Sequence, residues 1–176
     1  LRMMDLVGDE GHVIAVDLSE KALRQLSEKA GSDRRKRFTT VTASMDRLRP
    51  ALEASGFGNR RFELIFCAYG LYYSERPLQV LEEGCSRLAE EGRMVVVGPF
   101  GPNNGPLFEI LERSGVGISD YVRYTSQDFM EQTVLPFAYR RFARSTVHVL
   151  VNPVEWKRPE DVIQYWRNTT FFDEQN

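Results

Sequence analysis

Residues 11–23 constrain the fold more than any other stretch of this chain. Gly11 and His12 lead into Val13-Ile14-Ala15-Val16, four apolar residues in a row, which predicts a strand buried on both faces as in a parallel sheet. Asp17 ends the run. Ser19 then supplies an N-cap, and Ala22, Leu23, Leu26 and Ala30 recur at helical spacing. Gly31 closes that helix as a C′ residue. A carboxylate at the carboxyl end of a parallel strand stands where open α/β sheets bind ligands. There it can accept both hydroxyls of a ribose, which points to a nucleoside-containing cofactor.

The same grammar recurs downstream. Phe38 to Thr42 is β-branched and reads as a second strand, and Pro50 opens a short helix with Leu52 inward. Phe62 to Ala68 reads as a third buried strand. Pro77 starts a helix whose Leu78, Leu81, Cys85 and Leu88 share a face and which Gly92 stops; Met94 to Val97 is the fourth strand. Residues 1–7 read as the tail of a helix ended by Gly8. Strand and helix alternate through residue 98, so the predicted fold class is α/β, a Rossmann-like doubly wound sheet, mostly parallel. The texture changes after Gly98: a turn-rich loop at 98–106, a helix at 107–114, a capping box at Thr125 and Asp128 opening another helix, an alternating strand at 146–151, and a last amphipathic helix at 159–168. A chain of 176 residues without a compositional break is read as one domain, 1–98 forming its cofactor half and 99–176 its acceptor half.

Charge excludes several partners. The net charge is −2, which gives no footing for wholesale binding to nucleic acid or to anionic lipid. The basic run Arg34-Arg35-Lys36-Arg37 reads as a solvated connector. No apolar run approaches the roughly 20 residues of a membrane span, and no signal peptide is visible. Cys67 and Cys85 form neither a disulfide framework nor a metal spacing, so the expectation is free thiols, no metal and a cytoplasmic setting.

Several segments resemble the class I S-adenosylmethionine-dependent methyltransferases, type 11-like. Gly11 to Leu23 is similar to that family's second motif; Phe62-Glu63-Leu64-Ile65-Phe66 with Leu71-Tyr72-Tyr73 resembles its fourth strand and following turn. Leu88-Ala89-Glu90-Glu91-Gly92-Arg93 with Met94 to Val97 resembles its helix-to-fifth-strand junction. The resemblance runs in order over about residues 1–100. It implies S-adenosylmethionine as cofactor and a small-molecule methyl acceptor as partner. Asp17 would hold the ribose hydroxyls and Leu18 would pack on the adenine. Ser44 and Met45 would lie at the adenine edge, where the family usually has an acid; Ser44 in the acid's place weakens that contact or shifts it to Asp46. Cys67 and Ala68 would line the methionine end. The family's first strand and glycine-rich loop have no counterpart here, and its closing elements are not seen either. The chain is therefore expected to be an internal fragment of such a domain with an incomplete cofactor cradle.

Methyl transfer from a sulfonium is an in-line displacement that relies on orientation and desolvation and needs no metal. No catalytic residue is assigned. His12 starts the strand that Asp17 ends, roughly 16 Å away at ~3.3 Å per residue, and His148 reads as structural. Tyr69, Tyr72 and Tyr73 follow the third strand, where an acceptor would approach; their ring faces favour a cationic sulfonium and their phenols can orient an acceptor. The loop at 98–106 lacks the lysine of a phosphate-binding loop and the spacing of a dinucleotide fingerprint. Two other readings stay open: an NAD(P)-binding oxidoreductase domain, which also ends a strand in an acid, and a non-catalytic binding domain of the same fold.

Overall fold

The computed structural model describes residues 2–169, apart from the side chains of residues 2 and 32–35. It divides into two compact units, Leu1–Val97 and Gly98–Asn176, with the division at the change of texture seen in the sequence.

The first unit follows the predicted alternation. Helix α1 (Arg2–Leu6) precedes β1 (Val13–Asp17), α2 (Glu20–Arg34), β2 (Phe38–Thr42), α3 (Leu48–Ala54), β3 (Phe62–Ala68), α4 (Pro77–Ser86) and β4 (Leu88–Val97). The Ser19 hydroxyl accepts the Ala22 N–H at 3.2 Å, the expected N-cap of α2. Gly31 takes φ 75°, a left-handed conformation that breaks the helical run where a C′ glycine should. Strand β1 pairs in parallel with β2, from Val13 opposite Phe38 to Asp17 opposite Thr42. Strand β3 pairs in parallel with β4, with Ala68 opposite Val97.

Two corrections concern the sheet. The expected single doubly wound sheet is present as two separate two-stranded parallel pairs, β1–β2 and β3–β4, and among the described residues no strand bridges them. The strands are also not buried on both faces. Val13 to Val16 are half-buried, Leu64 is exposed, and Phe66 is 50% exposed. The helices cover one side only: Leu23 and Ala30 of α2, Val41 of β2, Leu52 of α3, and Leu81 and Cys85 of α4 form the buried core.

The helix expected to run to Gly92 ends earlier, at Ser86, and Leu88 enters β4 instead. The cause is Arg87. Its side chain turns inward, donating from Nε to Glu83 Oε1 at 2.6 Å and from Nη1 to the Gly58 carbonyl at 2.9 Å, while its own carbonyl accepts the Phe62 N–H. Gly92 lies beside a register shift between the two strands; a Cβ there would stand 2.8 Å from the Phe62 carbonyl oxygen.

The second unit contains α5 (Gly105–Arg113), α6 (Asp120–Arg123), α7 (Leu135–Arg141) and α8 (Pro159–Arg167). Between α6 and α7 the chain stays helical with wide π-type turns at Tyr124–Asp128 and Met130–Val134. Phe108, Phe129 and Phe137 are buried in this unit. The capping box expected at Thr125 is not a helix start. Ser119 caps the helix, accepting from the Val122 N–H, and Thr125 sits buried inside it with its hydroxyl on the Tyr121 carbonyl at 2.9 Å. Nor is a strand formed at 146–151, although the alternation is real, because no described segment pairs with it. Of the aromatic end, Tyr165 packs on Trp156 with ring centroids 5.1 Å apart, whereas Phe171 and Phe172 lie outside the described residues.

Candidate active site at the carboxyl ends of the strands

The sequence-predicted site residues fall on three loops, those that follow β1, β2 and β3. Asp17 is exposed at the carboxyl end of β1. Its Oδ1 accepts the Ser19 N–H at 2.7 Å, an Asx turn that fixes the carboxylate at the strand end; its second oxygen has no partner among the described residues. Leu18 beside it is 72% exposed, an apolar side chain without a cover in its own unit. The ladder continues one bond past the strand, from the Ala43 N–H to the Asp17 carbonyl, so the loop after β2 begins against Asp17.

That loop is a short 3₁₀ turn, Met45–Arg47, capped by Ser44, whose hydroxyl accepts the Asp46 N–H at 3.2 Å. Asp46 reaches across to the loop after β3. Its Oδ1 accepts the Ser74 hydroxyl at 2.5 Å, its Oδ2 accepts the Glu75 N–H at 3.3 Å, and its carbonyl accepts Arg76 Nη2. Burial raises the Asp46 pKa. The Ser74 hydroxyl, the backbone donors of Glu75 and Arg76 and the Arg76 charge outweigh that and hold the carboxyl below its usual range. The same two loops touch at Met45, since a Cβ on Gly70 would lie 3.2 Å from Met45 Cε.

The loop after β3 begins with strain. Tyr69 has φ 51°, a left-handed conformation that costs a residue with a Cβ, yet its N–H bonds the Val97 carbonyl at 2.8 Å and its side chain is 60% exposed. Tyr72 is half-buried against Tyr73, ring centroids 4.5 Å apart, and Tyr73 is exposed. Burial, with Tyr73, Tyr69 and Cys67 close by, pushes the Tyr72 phenol well above its ordinary value. Burial likewise pushes the Cys67 thiol up, against hydrogen bonds from the Leu71 and Gly70 backbone. Ala68 is exposed at the end of β3.

Thus the structure links Asp17 to the loop after β2 through the ladder, and links Met45 and Asp46 to the loop carrying Tyr69, Tyr72 and Tyr73. Ser74 and Gly70 were not among the residues singled out from sequence. Ser74 lies 28 residues from Asp46, and a serine three residues before Pro77 signals only a helix start. His12 sits at the other end of β1, its Nε2 2.8 Å from the Thr39 hydroxyl and its ring near Phe57, which takes it away from this rim. Among the described residues no group of His, Cys, Asp and Glu is placed to hold a metal ion, and no helix is long and apolar enough to cross a membrane.

No curated protein matches the chain. The family model described as a methyltransferase domain matches residues 1–96, the unit that carries all of these loops. Over half the chain is covered, and the chain belongs to the methyltransferase domain family, the class I S-adenosylmethionine-dependent methyltransferases.

Proposed function

We propose that this protein moves the methyl group of S-adenosylmethionine to a small-molecule acceptor. The observation that carries the reading is Asp17: an exposed carboxylate, oriented by its Asx turn, with one oxygen left for a ligand. A ribose diol offers two donors; the free oxygen accepts one, and the lone pair left on Oδ1 beside the Ser19 bond accepts the other. The exposed Leu18 side chain gives the adenine an apolar face, and Ser44 and Met45 lie at the next loop. Asp46 already satisfies Ser74 and Glu75, so its part is to hold two loops together and not to read the base. Cys67 and Ala68 line the amino-acid end. When bound, the cofactor supplies an electrophilic methyl on a sulfonium.

The chain's own residues then have to orient and exclude water. Tyr69 and Tyr73 offer exposed ring faces at the end of β3, suited to a cationic centre or an unsaturated acceptor. Tyr72, half-buried and hydrogen-bonded to Tyr73, keeps its proton and holds the exposed Tyr73 ring in place. Calorimetric titration with S-adenosylmethionine tests the reading. Binding that is lost in Asp17→Ala supports it, whereas binding equal to the parent's refutes the role given to Asp17. A chain that binds NAD(P) and not S-adenosylmethionine in the same titration refutes the cofactor.

A further inference from the structure

Between α3 and β3 the chain makes a fixed turn at the amino end of β3, the opposite end of that strand from Tyr69. The Gly56 N–H bonds the Glu53 carbonyl at 3.1 Å and the Phe57 N–H bonds the Leu52 carbonyl at 2.7 Å, while Gly56 takes φ 82°. This is the Schellman arrangement, which satisfies the last carbonyls of a helix. Two contacts hold the turn from outside. The buried Arg87 donates to the Gly58 carbonyl at 2.9 Å, and the Phe57 ring lies near that of His12.

The turn walls a cleft of about 540 Å³ lined by Glu53, Gly56, Gly58, Asn59 and Arg60. Small-molecule sites are commonly about 300–1,000 Å³. Glu53 and Arg60 are exposed, and neither head group has a hydrogen-bond or ion-pair partner among the described residues, although both line the one cleft. Arg49 feels the Glu53 charge but donates from Nε and Nη2 to Glu83 instead, at 3.0 and 2.6 Å. The N–H groups of Gly58 and Asn59 also lack an acceptor among the described residues. A Cβ at Gly58 would stand 2.9 Å from Glu53 Cγ, so it is the bare glycine that lets the glutamate stem lie against this stretch of backbone. An anion alone would meet donors from Gly58, Asn59 and Arg60, but the Glu53 charge as well. A cation alone would meet Arg60. A ligand that carries both charges a short distance apart suits the whole set. We propose that this cleft binds a free α-amino acid, its carboxylate on Arg60 and the Gly58 and Asn59 N–H groups and its ammonium on Glu53.

Amide NMR of the intact chain, titrated with L-alanine, tests this. Alanine should shift the Gly56, Gly58 and Asn59 signals saturably, with a dissociation constant of about 1–10 mM for contacts this exposed. N-acetylalanine lacks the ammonium and alaninamide lacks the carboxylate, so each should bind at least about tenfold more weakly. Glu53→Gln and Arg60→Gln should weaken alanine binding by a similar factor; both positions are exposed, and unchanged signals elsewhere show that the variants fold. Saturating S-adenosylmethionine should not displace alanine. Absence of a saturable shift up to about 100 mM overturns the proposal. So do equal affinities for the three probes, binding that survives in both variants, and shifts centred on Cys67 and Ala68 in place of residues 56–60. A chain that fails to bind S-adenosylmethionine leaves each of these readouts intact, so the two readings fail separately.

Discussion

Asp46 connects the β1–β2 pair's rim to that of β3, and removing its carboxylate should therefore cost both stability and affinity. The Ser74 hydroxyl meets Oδ1 at 2.5 Å in a half-buried setting. A hydrogen bond to a charged group contributes about 1.5–3 kcal/mol, and partial exposure moves this one to the low end. The second bond, from the Glu75 N–H, is longer at 3.3 Å and contributes less. Asp46→Ala should thus destabilise the protein by about 2 kcal/mol in urea denaturation. In a double-mutant cycle with Ser74→Ala the coupling should be about 1.5 kcal/mol, because either single change removes the same bond. The pH dependence has a definite sign. The folded pKa is held below the usual 3.8, so the unfolded chain takes up the proton first as pH falls. The advantage of the parent over Asp46→Ala is complete above that usual value and shrinks as acid protonates the folded carboxyl. Affinity for S-adenosylmethionine should fall with the loss of the loop connection, and Asp46→Asn, which keeps one acceptor oxygen, should lose less. A coupling energy below about 0.5 kcal/mol would refute the reasoning, as would a stability difference that grows toward low pH.

Three further outcomes follow from the same geometry. Asp17→Ala should weaken S-adenosylmethionine binding by about 10–100-fold in calorimetry, the loss of one or more charge-assisted bonds, while barely changing the denaturation midpoint because its bond to Ser19 is exposed. Glu83→Ala leaves the buried Arg87 guanidinium short of its carboxylate and should cost about 3 kcal/mol in denaturation, whereas Arg49→Ala, which removes the exposed arginine on the same carboxylate, should cost far less. Tyr69→Gly removes a strained left-handed tyrosine and should stabilise the fold by about 1 kcal/mol while reducing methyl transfer; destabilisation, or full activity, would remove the reason for keeping a tyrosine there.

What the sequence made legible was local. The Ser19 cap, the Gly31 break and the place of Asp17 at a strand end each rest on residues within one turn of each other, so their signals survive in a single chain. The helix end expected at Gly92 fails because of Arg87, whose partners Glu83 and Gly58 lie four and 29 residues before it in sequence; nothing between 77 and 92 announces that an arginine will turn inward. Thr125 and Asp128 fit the spacing of a capping box, but a threonine inside a helix can bond the carbonyl four residues back equally well, and burial decided between the two. Tyr69 gave no sign of its backbone, since tyrosine is a poor choice for a left-handed position; the residue type suggested a ligand contact while the strain stayed hidden. The Asp46–Ser74 bond had no local trace at all.

A deeper asymmetry separates strand pattern from strand pairing. Apolar alternation reports which side chains avoid water, and it does so one strand at a time. It cannot report which edge meets which. In the first unit the apolar runs at β1 and β3 were real strands in parallel pairs, yet Phe66 and Val95 remain uncovered, and the two pairs are not joined through any described strand. In the second unit Val147, Val149 and Val151 have the same pattern and no partner in the described chain. The difference is that β1 and β3 have helices packed on one side and a neighbour on one edge, which is enough to hold a strand's hydrogen bonds, whereas residues 146–152 have neither. A pattern of this kind predicts a demand for a neighbour. Where no described segment meets the demand, as at residues 146–152, the run stays extended and exposed, because alternation sets the face a strand would bury and leaves the choice of partner to its pairing edge.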